Sequence, residues 1–416
     1  MAMKFLFADC LDQIDPGFDF TKDEYSPDRR VQRDDVYPHE YFDIPPYDGI
    51  LVSRAVLGDG NQDGKYTTAQ SMRFKREGAR SFLRYNPSRG GAIMGDCGAF
   101  SYLKDDVPPY SVPDMVRYYE QCGFTHGVSI DHVILGYSEQ HHLPNLIPEE
   151  WKRRYALTLR LAEDFLSYCR NHNVTFQPVG VAQGWSPESY RDASRRLVAM
   201  GYDYIGIGGM VLLKAPQIHH ILEAVREAVS STVRLHLFGF TKAHSISEFV
   251  KYEIESFDST SPMIRAFKDA RSNYLLDREW YTSIRVPSAD ENRLFKEQIL
   301  AGKKNQQELR DMEKASLTAL RLYADRRIDI EQTLDAVVKY GLEFTAKVPV
   351  ERYRKVLNDR PWDQCKCRIC RDIGIEVIIF RGSNRNRRRG FHNLWEFYRQ
   401  LRAVRQDELA SERHKL

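Results

Sequence analysis

Two sets of residues in this chain have types and spacings that can do chemistry. Near the C-terminus stand Cys365-Lys-Cys367-Arg-Ile-Cys370 and then His392. Three thiolates and an imidazole within 28 positions suffice to close a tetrahedral Zn²⁺ site. Four protein ligands leave no coordination position open, so such a metal would hold structure and do no chemistry. A redox CxxC pair or a chance cluster of thiols are the alternatives; the tight spacing and the histidine favour zinc. The second set sits at the ends of short apolar runs. Asp96 lies in Gly95-Asp-Cys-Gly-Ala-Phe-Ser101, Asp131 ends Gly127–Asp131, and Gln183 precedes Gly184. Gly208 and Gly209 follow Ile207, and Asp258 lies in Phe257-Asp-Ser-Thr-Ser-Pro262. Any one aspartate, taken alone, reads better as the N-cap of a following helix. Their recurrence on successive runs points instead to one pocket lined by three carboxylates and an amide.

The elements that must position these groups are strands alternating with helices. Strands are expected at Ile50–Ser53, Ala92–Asp96, Gly127–Asp131, Phe176–Gln183, Tyr204–Ile207, Arg234–Phe238 and Glu255–Asp258, with an eighth later in the chain. Helical patterns lie between them, as at Trp151–Asn171, Pro187–Met200 and Ile218–Ser230. This alternation implies parallel strands with crossover helices, and the number suggests an α/β fold of the (β/α)₈ TIM-barrel type. An open doubly wound sheet is the alternative. In a barrel the C-terminal strand ends share one face, where active sites sit.

Residues 1–49, rich in Pro, Asp and Tyr, read as an N-terminal extension with a short strand at Lys4–Ala8. Residues 50–267 form the main part of the barrel and 268–360 a mostly helical insertion. Residues 361–416 form the zinc-binding subdomain, with a strand at Glu376–Phe380 and a closing amphipathic helix. Ser288-x-x-Glu291 is a candidate capping box. Leu309, Met312, Ala315, Ala319 and Leu322 form a stripe expected to be core.

With 42% hydrophobic and 29% charged residues the chain is an ordinary globular protein, and its net charge of +3 does not by itself argue for nucleic acid. The charge is unevenly placed, however. Arg381, Arg385, Arg387, Arg388 and Arg389 fall within ten residues that hold no acid. A solvated loop is the plain reading; a phosphate-contacting loop is the functional one, slightly favoured. The other four cysteines, Cys10, Cys97, Cys122 and Cys169, are scattered, which speaks against a disulfide framework. The N-terminal apolar stretch Phe5–Ala8 is too short for a signal peptide, and no run is long enough to cross a bilayer, so a cytoplasmic location without membrane partners is expected.

At this point the motifs resemble those of the tRNA-guanine transglycosylase superfamily. Asp-Cys-Gly-Ala-Phe at 96–100 is similar to its Asp-Ser-Gly-Gly-Phe signature, Gln183-Gly184 to its Val-Gln-Gly motif, and Gly208-Gly209-Met210 to its Gly-Gly-Leu loop. Phe257-Asp258 resembles the Phe-Asp pair that carries its nucleophile. CxCxxC with His392-Asn-Leu matches its zinc module most specifically. Within the superfamily the chain looks most like the DNA-modifying, DpdA-like branch, through Met3-Lys-Phe-Leu-Phe-Ala-Asp9, Tyr47–Ser53 and Gly95–Tyr102.

The resemblance implies a transglycosylase that replaces guanine in DNA by a 7-deazaguanine, expected to be the 7-cyano form, through an aspartyl–sugar intermediate. It implies Asp258 as nucleophile and Asp96 as proton carrier, with Asp131, Gln183, Gly208 and Gly209 binding the base. Cys365, Cys367, Cys370 and His392 would hold one structural Zn²⁺. DNA, a free 7-deazaguanine base and an accessory ATPase of the same system are the implied partners, and a homodimer is left open. Cys97 and Ser259-Thr260 depart from the family pattern without removing a catalytic group. Exchange on tRNA is the nearest alternative. A zinc-dependent barrel hydrolase using His126, His132, His236 and His244 is an alternative of another class, although their spacing fits no zincin motif.

Overall fold

The computed structural model describes residues 3–58, 64–85, 91–138, 146–240 and 243–413, with backbone alone at 243–245 and 407–413. Eight parallel strands close into a barrel in chain order. They are β1 (Lys4–Ala8), β2 (Gly49–Ser53), β3 (Ala92–Asp96), β4 (His126–Val128), β5 (Gln177–Ala182), β6 (Tyr204–Ile207), β7 (Arg234–Leu237) and β8 (Ser256–Asp258). Closure comes from β1 and β8, where Phe5 lies beside Phe257 and Leu6 beside Asp258. The barrel expectation therefore holds, with one correction. The eighth strand is not late in the chain; it is Lys4–Ala8, placed by the sequence in an extension outside the barrel. Its Phe5, Leu6 and Phe7 are all buried, as a parallel strand covered on both faces requires. The usual strand–helix rhythm is missing after β1, since the connection to β2 carries only the four-residue helix Pro38–Tyr41.

Inside the barrel Leu6, Leu51, Met94, Val128, Val179 and Tyr204 pack as one cluster, so the barrel is filled below its mouth. Local signals set the crossover helices. Helix Val112–Cys122 opens where the Ser111 side chain accepts from the Asp114 N–H and stops at Gly123 in the left-handed region (φ 67°). Helix Pro187–Met200 repeats the scheme with Ser186 and Gly201. Among the described residues no helix is long and apolar enough to cross a membrane.

The chain folds as two compact units. One comprises Met1–Asp12, Tyr47–Thr260 and Leu401–Leu416 and contains the barrel; the other comprises Gln13–Pro46 and Ser261–Gln400. Boundaries at 49, 267 and 360 do not separate these units, because residues 13–46 fold with the later segment. The second unit holds the helices Arg293–Leu300, Gln306–Ala324, Ile330–Gly341 and Val350–Asp359. Helix Arg293–Leu300 is capped by Asn292, whose side chain accepts from Leu294 and Phe295 N–H, and not by Ser288. The buried face of Gln306–Ala324 is Leu309, Ser316, Leu317, Ala319 and Leu320, rotated from the expected stripe. Instead of a strand over Glu376–Phe380 there is a 3₁₀ turn, Gly374–Ile378, and a two-residue strand, Ile379–Phe380, paired with Ile284–Arg285.

The arginine run is also corrected. It opens the long helix Ser383–Arg413 rather than forming a loop, and Arg381, Arg385, Arg388 and Arg389 are buried. Arg381 pairs with Glu313 at 2.6 Å and Arg385 with Glu376 at 2.7 Å, and both reach Asp23. Arg388 donates to the Asp15 carbonyl at 2.8 Å and Arg389 to the Ala266, Val377 and Ile379 carbonyls. Half-buried Arg387 donates to the Gln13 carbonyl at 3.1 Å. These guanidiniums staple backbone together and do not await phosphate. Accordingly Arg389→Ala, which leaves several buried carbonyls unpaired, should cost about 3–5 kcal/mol in denaturant unfolding. A loss below about 1 kcal/mol would contradict this structural role.

Candidate active site and metal centre

The barrel unit gathers the carboxylates at its C-terminal strand ends. Asp96 and Asp258 are the last residues of β3 and β8, Gln183 and Gly208 directly follow β5 and β6, and Asp131 lies three residues beyond β4. Because all eight strands run the same way, these ends open on one mouth.

Asp258 is 7% exposed. Its Oδ1 accepts from the Gly239 N–H at 2.9 Å and lies 3.3 Å from His236 Nε2. His236, fully buried on β7, has its Nδ1 at 2.6 Å from Ser256 Oγ, which is 2.6 Å from Tyr204 OH. The network reads consistently with Nε2–H donating to Asp258 and Nδ1 accepting from Ser256. Both hydrogen bonds that the Asp258 side chain makes among the described residues fall on Oδ1.

Asp96 is only partly covered, yet its pKa is pushed up to about 7. Burial is the main cause, followed by the negative charges of Asp131 and Asp258; hydrogen bonds from Ser53 and from the Gly98 N–H at 3.1 Å pull the other way. A carboxyl poised near neutrality can both give and take a proton. The charges of Asp131 and Asp258 thus both act on Asp96, as expected of carboxylates at one barrel mouth.

Asp131 is 4% exposed, and burial raises its pKa against the pull of two hydrogen bonds. Gln183 Nε2 donates to Oδ2 at 2.6 Å and Cys97 Sγ to Oδ1 at 3.1 Å. The Gln183 amide is fixed in this sense because its Oε1 accepts from the Ile134 N–H at 3.2 Å. Burial, then the charges of Asp131 and Asp96, hold the Cys97 thiol well above its ordinary pKa. Cys97 is therefore a protonated donor and not a thiolate nucleophile. Glycine is required beside this amide: a Cβ on Gly208 would stand 2.2 Å from Gln183 Nε2. Gly209 takes φ 75°, and a Cβ there would meet Tyr190 OH at 2.7 Å.

His236, Gly239, Ser53 and Tyr190 complete the site and carried no signal in spacing. His236 entered the sequence reading only as a metal-ligand alternative. That alternative finds no support among the described residues. His126 Nδ1 is bound to Thr125 Oγ1 at 2.8 Å and His132 Nε2 to the Asp105 carbonyl at 2.8 Å, and the His244 side chain lies outside the described residues. Among the described residues the one group of metal-ligating type is Cys365, Cys367, Cys370 and His392.

That group, in the second unit, is fully buried, with all four ligand atoms within 4.8 Å of one another. Cys365, Cys367 and Cys370 Sγ lie 3.5, 3.4 and 3.3 Å from His392 Nδ1. A tetrahedral metal at standard Zn–S and Zn–N lengths has S···N edges of about 3.6 Å, so the donors fit it. His392 Nε2 lies 2.7 Å from the Leu275 carbonyl, which fixes Nδ1 as the ligating nitrogen. His392 sits within the long helix rather than at its start.

A closed parallel barrel with three coupled carboxylates at its mouth and a buried Cys₃His cluster in the same chain defines a barrel enzyme equipped for nucleophilic and acid–base chemistry. Residues 144–407 match the family model described as queuine tRNA-ribosyltransferase. The chain is 43% identical over 406 residues to a DNA-guanine transglycosylase of Salmonella montevideo, covering 96% of each protein. It belongs to the tRNA-guanine transglycosylase superfamily, on the DpdA-like branch, and is a transglycosylase.

Proposed function

We propose that this transglycosylase replaces guanine in DNA with a free 7-deazaguanine base, of which 7-cyano-7-deazaguanine is our choice. The observation that carries the DNA substrate is the 43% identity, over nearly the whole length of both chains, to a protein named for that reaction. The carboxylate geometry supports the route. Asp258 Oδ2 attacks C1′ of the target nucleotide, the C1′–N9 bond breaks, and its electron pair leaves with guanine, which takes a proton from Asp96. The incoming base then gives its N9 proton to Asp96 as N9 displaces Asp258 from C1′. Two displacements restore the original configuration at C1′.

Asp131 reads the guanine edge by accepting from N1–H and the 2-amino group. Each carboxylate oxygen has a further lone pair beyond the one used by Gln183 or Cys97. The second N–H of Gln183 and the Gly209 N–H donate to O6. A 7-deaza base keeps this edge, so one pocket holds the leaving and the entering base in turn. The target base must be turned out of the duplex to reach a barrel mouth. Labelled 7-cyano-7-deazaguanine, offered with duplex DNA or with tRNA, tests the reading by nucleoside analysis. Label in deoxynucleosides is expected; label in tRNA alone would overturn the DNA assignment.

Cys365, Cys367, Cys370 and His392 would hold one Zn²⁺, which supplies cross-linking and no chemistry. Structural zinc is worth on the order of 10 kcal/mol to small metal-dependent folds. Metal analysis should give one zinc per chain, and Cys370→Ser should lose it together with a large part of the thermal stability. A metal-free sample that unfolds at the same temperature as the metal-loaded protein would refute the structural role.

A further inference from the structure

The second unit contains a cavity of about 920 Å³ that no step of the proposed reaction uses. Its lining carries Lys268, Arg271, Arg285, Lys347 and Arg352 against one acid, Glu351. All five cations are exposed. Among the described residues Lys268, Arg271, Lys347 and Arg352 make no ion pair, whereas nearby Lys355 is neutralised by Glu279 and Asp359. Arg285 lies over the Phe344 ring at 5.3 Å, and Phe380 lines the same cavity.

Two further features point to an anion. Helix Val350–Asp359 begins in this lining, and its N-cap residue, Pro349, offers no side-chain cap. Val350 and Arg352 N–H already donate to the Val348 and Pro349 carbonyls, so the Glu351 N–H is the first-turn donor left for a ligand among the described residues. Ser283 also lines the cavity; it is 3% exposed, and its Oγ finds no hydrogen-bond partner among the described residues. A buried hydroxyl without a partner costs free energy unless a ligand or water meets it.

We infer that this cavity grips the phosphodiester backbone of the nucleic-acid substrate, with Arg271, Arg352, Lys268 and Lys347 on phosphates and Ser283 Oγ donating to a phosphate oxygen. Unpaired cations gathered at one cavity suit a polynucleotide, since each can neutralise a backbone phosphate. An acidic protein would also match the charge, but the proposed reaction itself supplies a polyanion to this enzyme and calls for no such protein. The inference rests on the reading that the enzyme acts on a polynucleotide, and it names the surface that holds it.

The test is fluorescence-anisotropy binding of duplex DNA by the full-length protein across a KCl series. R271E/R352E removes two exposed cations and should leave the melting temperature unchanged. It should lower DNA affinity at least tenfold at low salt and reduce the slope of log K against log [salt] by about 2, near one per phosphate contact. Ser283→Ala should weaken binding about fivefold with no change in slope, because the lost donor is neutral. Lys355→Gln should change neither. Unaltered affinity and slope in R271E/R352E, with wild-type protein binding DNA normally, would overturn the inference and leave the proposed reaction standing. If wild-type protein labels tRNA alone, the DNA reading is what fails, and the same slopes measured on tRNA decide the groove.

Discussion

Asp258→Asn is expected to lower base exchange by on the order of 10⁴–10⁶-fold, the range seen when a covalent nucleophile is removed. The expectation follows from how the side chain is held. Gly239 N–H and His236 Nε2 both engage Oδ1, so Oδ2 is the oxygen left to reach an anomeric carbon. Asparagine keeps the size and can keep the Gly239 contact through its carbonyl oxygen. It has no anionic oxygen to attack with. The variant should therefore fold and bind DNA like the wild-type protein while making no product. Turnover within tenfold of wild type would remove Asp258 from the nucleophile's role.

Asp96→Asn should slow exchange by about 10²–10⁴-fold, the usual contribution of a positioned proton carrier. The same change should stabilise the fold at pH 8. Folding lifts the Asp96 pKa from 3.8 to about 7, so between those values the native state binds more protons than the unfolded chain. Stability then falls as pH rises through that window and levels off above about pH 7. Removing the ionisable group removes that loss. Allowing for partial solvent access, the gain is about 1–3 kcal/mol at pH 8. The first chemical step has a matching pH dependence: adduct formation should decline above about pH 7 as Asp96 gives up the proton that guanine needs. Equal melting temperatures for the variant and wild type at pH 8, or adduct formation still rising above that pH, would show that Asp96 is not so poised.

The trade is typical of a functional site: three carboxylates placed together lower stability for the sake of reactivity. His236 shows how the barrel manages it. A fully buried imidazole, linked through Ser256 to Tyr204, supplies Asp258 with a fixed donor.

Much of this was legible in the sequence because parallel strands end abruptly. Asp96 and Asp258 were readable as strand-terminal carboxylates, and the structure puts them at the ends of β3 and β8. The Cys₃His cluster was readable from spacing alone, since a short CxCxxC segment can present three thiols to one point. What stayed hidden depends on contacts distant in the chain. Lys4–Ala8 lies between β2 and β8, and the pairing that closes the barrel is with β8, some 250 residues away; its flanking sequence has no helical rhythm to announce it. The arginine run misled because charge density in sequence says nothing of burial. Asp23, Glu313 and Glu376, which neutralise Arg381 and Arg385, lie far from them or in another element. The cations of the phosphate groove were missed for the opposite reason, being spread singly between residues 268 and 352.

The central claim, a sugar carbon bonded for a time to Asp258, is tested most directly by mass analysis of protein quenched during turnover on a short guanine-containing DNA duplex without added base. Wild-type protein should gain the mass of the DNA strand less guanine, the linkage should map by peptide analysis to Asp258, and Asp258→Asn should show none. An adduct mapped to another residue, or efficient exchange with no adduct under any quench, would contradict the account.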